Sequence, residues 1–229
     1  MKITKLDKVE RGFSTILYGP PGSGKTHQIS YFPPDETLII NVDAGIKTLE
    51  GKGFYVFTPS EDLRELTNLY EFLRTDKHPF KYLFLDNFSE LEKYLLVKLG
   101  MERKIDFWRQ KEWGDVAQLE REWMRLFREL TEERKMDIFF IAWDMILENE
   151  EETIIQPMLM RAVAREFAGI VDNVFYLKTD RKGERYLYTE GNSPLAKTRV
   201  PAGEKNPLPT VIKNPNLFEV IKKLKGGEE

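Results

Sequence analysis

Eight consecutive residues, Gly19-Pro20-Pro21-Gly22-Ser23-Gly24-Lys25-Thr26, narrow the folds open to this chain more than any other feature. They match G-x-x-x-x-G-K-[ST] at every fixed position. The run from Phe13 to Tyr18 ahead of them reads as a short buried strand, and the residues after them can open as a helix. A polyphosphate carries dense negative charge, so a loop that wraps backbone N–H groups around it must keep side chains out of the way. Gly22 and Gly24 permit this. Lys25 then reaches the outer phosphates, Thr26 offers a hydroxyl to Mg²⁺, and the start of the next helix adds partial positive charge. A plain strand-to-helix turn has no use for Lys and Thr directly after its last glycine. The nucleotide-contacting set is Gly19, Pro20, Pro21, Gly22, Ser23, Gly24, Lys25, Thr26 and the adjoining His27, with ATP and Mg²⁺ as the implied ligands.

Strand and helix patterns alternate along the remaining chain. The first helix must be short, because Pro33-Pro34 follows almost at once. Thr37 to Val42 is a near-continuous apolar run, the pattern of a strand covered on both faces, and it delivers Asp43 to the strand end where open α/β sheets place their ligands. Tyr82-Leu83-Phe84-Leu85 delivers Asp86 in the same way. A strand-end Asp is commonly a helix cap, but in this position after a phosphate loop a second carboxylate orients the water shell of the metal, which makes Thr26 and Asp86 the metal pair. Phe54 to Phe57 and Met136 to Trp143 are further strands. Ser60 is an N-cap candidate for a helix through Leu66, Leu69, Tyr70 and Leu73. A helical stretch begins at Asn87, breaks at Trp113-Gly114 and resumes near Asp115. Its second part turns Val116, Leu119, Trp123, Leu126 and Leu130 inward and leaves Glu120, Arg121, Glu122, Arg125 and Arg128 on the other faces. Asp144 to Thr153 is acidic and reads as a mobile loop. Pro157 initiates a helix that ends at Gly169. Val171 to Leu177 and Arg185 to Thr189 pair as a late antiparallel hairpin through Asp180 to Gly183. From Gly191 onward prolines predict irregular chain, apart from a last amphipathic helix around Leu217 to Leu224. The expected organisation is an α/β domain over 1–200 and a C-terminal extension over 201–229.

Composition removes several alternatives. With 35 basic and 38 acidic residues, the formal charge of -3 gives no general attraction to nucleic acid or an anionic membrane. Lys98, Arg103, Lys104, Arg109 and Lys111 leave only a local basic face open. Zero cysteines exclude disulfides, thiolate metal sites and a cysteine nucleophile, and two histidines leave little for a histidine metal site. The first eight residues lack the apolar core of a signal peptide, and no apolar run reaches membrane-spanning length. A soluble, cytoplasmic protein with no membrane contact is the expectation.

Taken together, these residues resemble the phage and archaeal-virus nucleotide-binding family of RecA-like P-loop ATPases, related to phage single-strand annealing recombinases. The resemblance spans roughly residues 12 to 200. Beyond Gly19 to Thr26 it is carried by Asn41-Val42-Asp43-Ala44-Gly45, Leu85 to Leu91, Trp113-Gly114 and Asp172-Asn173-Val174. It implies a central, largely parallel sheet flanked by helices, with the phosphate-loop strand near the middle, and ATP hydrolysis that is often completed by a neighbouring subunit. It makes Asp43 the residue acting on the attacking water, with Glu90 in reserve. Self-association follows, with Lys197 and Arg199 as cations offered to a neighbour's site, and single-stranded DNA becomes a candidate partner. Two departures bear on rate. Relatives commonly place Glu where Asp43 stands, and His or another polar sensor of the γ-phosphate where this chain has Trp143. Trp cannot accept a hydrogen bond from water, which leaves that role to Asp144 or weakens the coupling.

Three function classes stay open at this point. The first is a Mg²⁺-dependent ATPase coupled to DNA recombination or replication of a virus or plasmid. The second is an ATP-gated assembly protein that hydrolyses little. The third, a small-molecule kinase, lacks the Arg-rich lid such enzymes carry.

Overall fold

The computed structural model describes residues 11–42, 44–60, 62, 64–104, 108–148 and 152–226 of the 229. Asp43 lies outside the described residues, as do three residues of the acidic segment, 149–151. In chain order the strands are β1 Ser14–Tyr18, β2 Thr37–Asn41, β3 Tyr55–Phe57, β4 Tyr82–Asp86, β5 Asp137–Ala142, β6 Asp144–Glu148, β7 Thr153–Pro157, β8 Asn173–Thr179, β9 Arg185–Tyr188, β10 Gly191–Asn192, β11 Leu195–Thr198 and β12 Val211–Lys213. The α-helices are α1 Lys25–Ile29, α2 Arg64–Thr75, α3 Phe88–Arg103, α4 Gln110–Glu133, α5 Arg161–Ile170 and α6 Leu217–Leu224.

The central strands run β8-β1-β5-β4-β2-β3, all parallel, with β1 between β5 and β8. Past β8 the sheet turns antiparallel, through β9 and β11 on β8, β12 on β9 and β10 on β11. A parallel sheet needs both faces covered, and alternation along each strand supplies two apolar faces. Ile16, Tyr18, Ile40, Leu83, Leu85, Ile138 and Phe140 turn toward α2, α3, α4 and α5. Leu17, Ile39, Phe84, Phe139 and Ile141 turn the other way, toward Ile29 and Phe32 near α1 and toward Leu217, Val220 and Ile221 of α6. Phe84 and Phe139 stack face to face there, 4.3 Å between centroids. The expected α/β architecture with a late antiparallel hairpin is the one observed.

Several local expectations are corrected. The helical break falls before Gln110, not at Trp113-Gly114: α3 ends in the left-handed residue Lys104, and α4 then runs unbroken through Gly114. The Glu112 carboxylate accepts from the Arg109 backbone N–H at 3.0 Å, which closes the start of α4 and offsets the cost of the interior glycine. Glu120 belongs to the buried stripe of α4, at 0% exposure, between Val116 and Trp123. The acidic segment is not a plain loop, since β6 and β7 pair antiparallel on either side of it. Pro157 closes β7, and the helix starts only at Arg161. Ser60 binds the Glu65 carboxylate, while Asp62 accepts from the Arg64 backbone N–H at the start of α2. Beyond residue 200 the chain adds β12 to the sheet and α6 to the core.

Candidate functional site

The phosphate loop leaves β1 at the carboxyl end of the sheet. Gly19 N–H donates to the Ala142 carbonyl of β5 at 3.3 Å, so the loop starts anchored to the neighbouring strand. Gly24 sits at φ 94°, a left-handed conformation that side chains rarely adopt, and turns the chain into α1. A Cβ on Gly19 would fall 2.0 Å from the Leu177 carbonyl oxygen of β8, so only glycine lets the loop pass there. Lys25 is 6% exposed, and its ammonium donates to the carbonyls of Gly19 at 2.8 Å and Pro20 at 2.9 Å. The cation is thus held across the first turn of the loop.

Thr26 Oγ1 donates to Asp86 Oδ2 at 2.7 Å. The sequence reading paired these two as metal-holding groups, and the fold brings them into direct contact. The capping role that competed for Asp86 belongs to Asn87, whose side chain accepts from Ser89 N–H at 2.8 Å at the start of α3. A hydroxyl beside a carboxylate is a hard-oxygen donor set that suits Mg²⁺, an ion that completes its shell with water and phosphate oxygens. Among the described residues no group of three or more His, Cys, Asp or Glu could hold a metal independently of such a ligand.

Asn41 ends β2 in register with Asp86 of β4, so the two side chains share a sheet face with α1. Its Oδ1 is buried and has no hydrogen-bond partner among the described residues. Glu90 forms an ion pair with Lys93 at 2.6 Å. Lys93 also lies 4.5 Å over the Trp143 ring, and the Trp143 backbone N–H donates to Ser89 Oγ at 3.1 Å. Asp144 Oδ2 accepts from the Tyr176 hydroxyl at 3.3 Å. Burial, then Asp144, pushes the Tyr176 phenol up to about 12, so it stays a donor.

Lys197 and Arg199 are not brought to this loop. Lys197 pairs in register with Val174, which pairs with Ile16, so it lies two strands from β1 and about three residues short of the loop. That is roughly 10 Å across the sheet and a similar distance along it. It also shares the face of Val174, opposite to α1. Arg199 is engaged locally, donating to Gly169 O at 3.0 Å and lying 3.4 Å from the Asp172 carboxylate. The Lys197 ammonium has no hydrogen-bond or ion-pair partner among the described residues; burial, then Arg199, lowers its pKa, with the Asp172 charge acting in the opposite direction.

Arg185 is the residue that sequence reading missed. Its guanidinium packs against Gly24, where a Cβ would fall 2.4 Å from Nε. The contact joins segments far apart in the chain, and no local pattern announces it.

A family model described as an AAA domain matches residues 11–200. Among solved structures, the crystal structure of the RadB recombinase superposes with a TM-score of 0.51 at 16% identity, covering 83% of this chain and 86% of that one. At that identity the likeness shows the fold. No curated protein matches the sequence.

Proposed function

The chain belongs to the family of AAA domains whose model spans residues 11–200, and from that membership we propose that it is a Mg²⁺-dependent ATPase of the RecA-like kind. The observation that carries this reading is the contact between Thr26 and Asp86, which couples the end of the phosphate loop to a strand-end carboxylate at 2.7 Å. Bound there, Mg²⁺ supplies charge neutralisation to the transferring phosphoryl group. The chain's own groups do the rest. Backbone N–H groups around Gly22 and Gly24 cradle the phosphates. Lys25 exchanges its two carbonyl partners for β- and γ-phosphate oxygens. Asp86 fixes the Thr26 hydroxyl and carries the negative charge that attracts the ion. Asp43 is assigned the attacking water, and the unpartnered Asn41 Oδ1, facing the same side as Asp86, adds an acceptor for it.

Lys197 is proposed to serve the nucleotide of a neighbouring copy, because its geometry excludes its own loop and its ammonium is unpartnered. Arg199 acts beside it from its Asp172 anchor. Coupling to DNA recombination or replication belongs to this proposal, supported by the fold shared with the RadB recombinase. The mixed charge around α3 and α4 adds little to it.

Phosphate release measured with and without Mg²⁺ and single-stranded DNA, for wild type and Lys25→Ala, tests the reading. Mg²⁺-dependent release that Lys25→Ala abolishes, with an unchanged circular dichroism spectrum, is the expected result. Equal release by both proteins overturns it. Tight ATP binding without release selects ATP-gated assembly, a reading that the apolar Trp143 at the sensor position favours.

A further inference from the structure

The hairpin of β8 and β9 clasps the phosphate loop at three points. Gly19 passes against the Leu177 carbonyl, Thr179 Oγ1 donates to the Ser23 carbonyl at 3.3 Å, and Arg185 packs on Gly24. Leu177 and Leu187 face the α1 side of the sheet, and Arg185, two residues before Leu187, faces it too. The backbone of Arg185 is fixed on its other edge as well. Its N–H donates to Asn214 Oδ1 at 3.0 Å, and its carbonyl accepts from Asn214 N–H at 2.7 Å. The side chain is therefore launched toward the loop from a strand braced on both edges.

What the guanidinium does there is unexplained by the protein itself. Arg185 Nε is buried and has no hydrogen-bond partner among the described residues, and its side chain forms no ion pair with them. Ser23, the residue before the Gly24 on which Arg185 packs, is 2% exposed and its hydroxyl is likewise without a partner among the described residues. Shielding a donor from water without a partner is costly, and two such donors on consecutive stretches of the loop's surroundings, Ser23 Oγ in the loop and Arg185 Nε packed on the adjoining Gly24, point to an acceptor supplied from outside. A phosphate oxygen is an anionic acceptor that a guanidinium fork matches well.

Resting on the nucleotide-binding reading above, we infer that Arg185 is a phosphate-binding residue supplied within the same chain, reaching the triphosphate past Gly24 with Ser23 Oγ as its companion donor. This differs from cations lent by a neighbour, since it needs no second subunit. It also gives Gly24 a second reason to be glycine, because any side chain there would displace the guanidinium.

The test is calorimetric titration of wild type, Arg185→Met and Arg185→Lys with Mg·ATP and with inorganic tripolyphosphate. Methionine keeps an unbranched apolar stem out to the Nε position while removing the charge and all donors. Arg185→Met is expected to weaken binding of both ligands about tenfold to a hundredfold, with Arg185→Lys intermediate and the ligand-free melting temperature no lower than that of wild type. Equal affinities in wild type and Arg185→Met overturn the inference while leaving the ATPase reading intact. Weakened ATP binding with unaltered tripolyphosphate binding also overturns it, by moving the contact to the base or ribose. Wild type that binds neither ligand overturns both readings.

Discussion

Thr26 and Asp86 share one hydrogen bond, and that pairing separates charge from geometry. Asp86→Asn keeps the size and an acceptor for Thr26, yet loses the negative charge. Turnover should fall about tenfold to a hundredfold, with half-maximal activity displaced to higher Mg²⁺. Superimposable Mg²⁺ titrations of phosphate release would leave Asp86 a structural group. Glu120 makes the opposite kind of prediction. It is fully buried in α4, neither carboxyl oxygen has a partner among the described residues, and burial, reinforced by Glu92, raises its pKa to about 9. The folded state therefore holds a proton that the unfolded state releases above about 4.5. Stability from this group is complete below that value and declines as pH rises toward 9, by up to about 1.4 kcal/mol per pH unit. Glu120→Gln should flatten the decline, which urea denaturation at a series of pH values would reveal. A slope identical to wild type would assign the pH dependence to other groups. The sequence already contained this residue's position, since 116, 120, 123, 127 and 130 follow one helical stripe. Residue type suggested solvent, and the period decided otherwise.

Helix α4 shows how far local signals reach. Trp113-Gly114 looked like a terminus because glycine is a poor helix former, whereas the chain carries the helix through it. Nothing lies within 4 Å of a Cβ built on Gly114. Gly114→Ala should therefore stabilise the protein by about 0.5–1 kcal/mol, read as a higher urea midpoint at unchanged slope. A lower midpoint would mean that the glycine serves a packing role. Other elements were plainly legible: β4 spans Tyr82–Asp86 as its apolar run indicated, and the hairpin of β8 and β9 forms where alternation and Asp180 to Gly183 placed it. The antiparallel pairing of β6 and β7 was hidden by the charge of the segment between them, because acidic residues report solvent contact and not backbone pairing. Arg185 was hidden for a different reason. Its meaning lies wholly in which distant glycine it touches.

At the scale of the molecule, the separation of Lys197 from the phosphate loop makes its proposed role testable in mixtures. Lys25→Ala and Lys197→Ala should each turn over slowly alone. Combined, they should recover part of the wild-type rate, because some interfaces pair an intact loop with an intact Lys197. No recovery, together with turnover per subunit independent of protein concentration, would confine the site to one chain. Lys197 is the better half of the pair to alter, since removing Arg199 would also strip a partner from Asp172, which holds Ser14 N–H at 3.0 Å and Ser14 Oγ at 2.7 Å.

The strand order carries one more consequence, and it concerns the route to the native state. β1 is among the first segments of the chain, yet both its neighbours, β5 and β8, come more than a hundred residues later, as the separations of 124 between Phe13 and Asp137 and 158 between Ser14 and Asp172 record. Closing such long loops precedes any gain from the pairing, which places the chain among slow folders. β2, β3 and β4 can associate over shorter spans, but β1 cannot be sandwiched until β8 has docked. The phosphate loop takes its shape from that sandwich, through the Ala142 and Leu177 carbonyls that flank Gly19. Nucleotide binding during refolding should consequently appear in the slowest phase, after most helical signal has returned, and a bound nucleotide then acts as a latch on the last step of assembly.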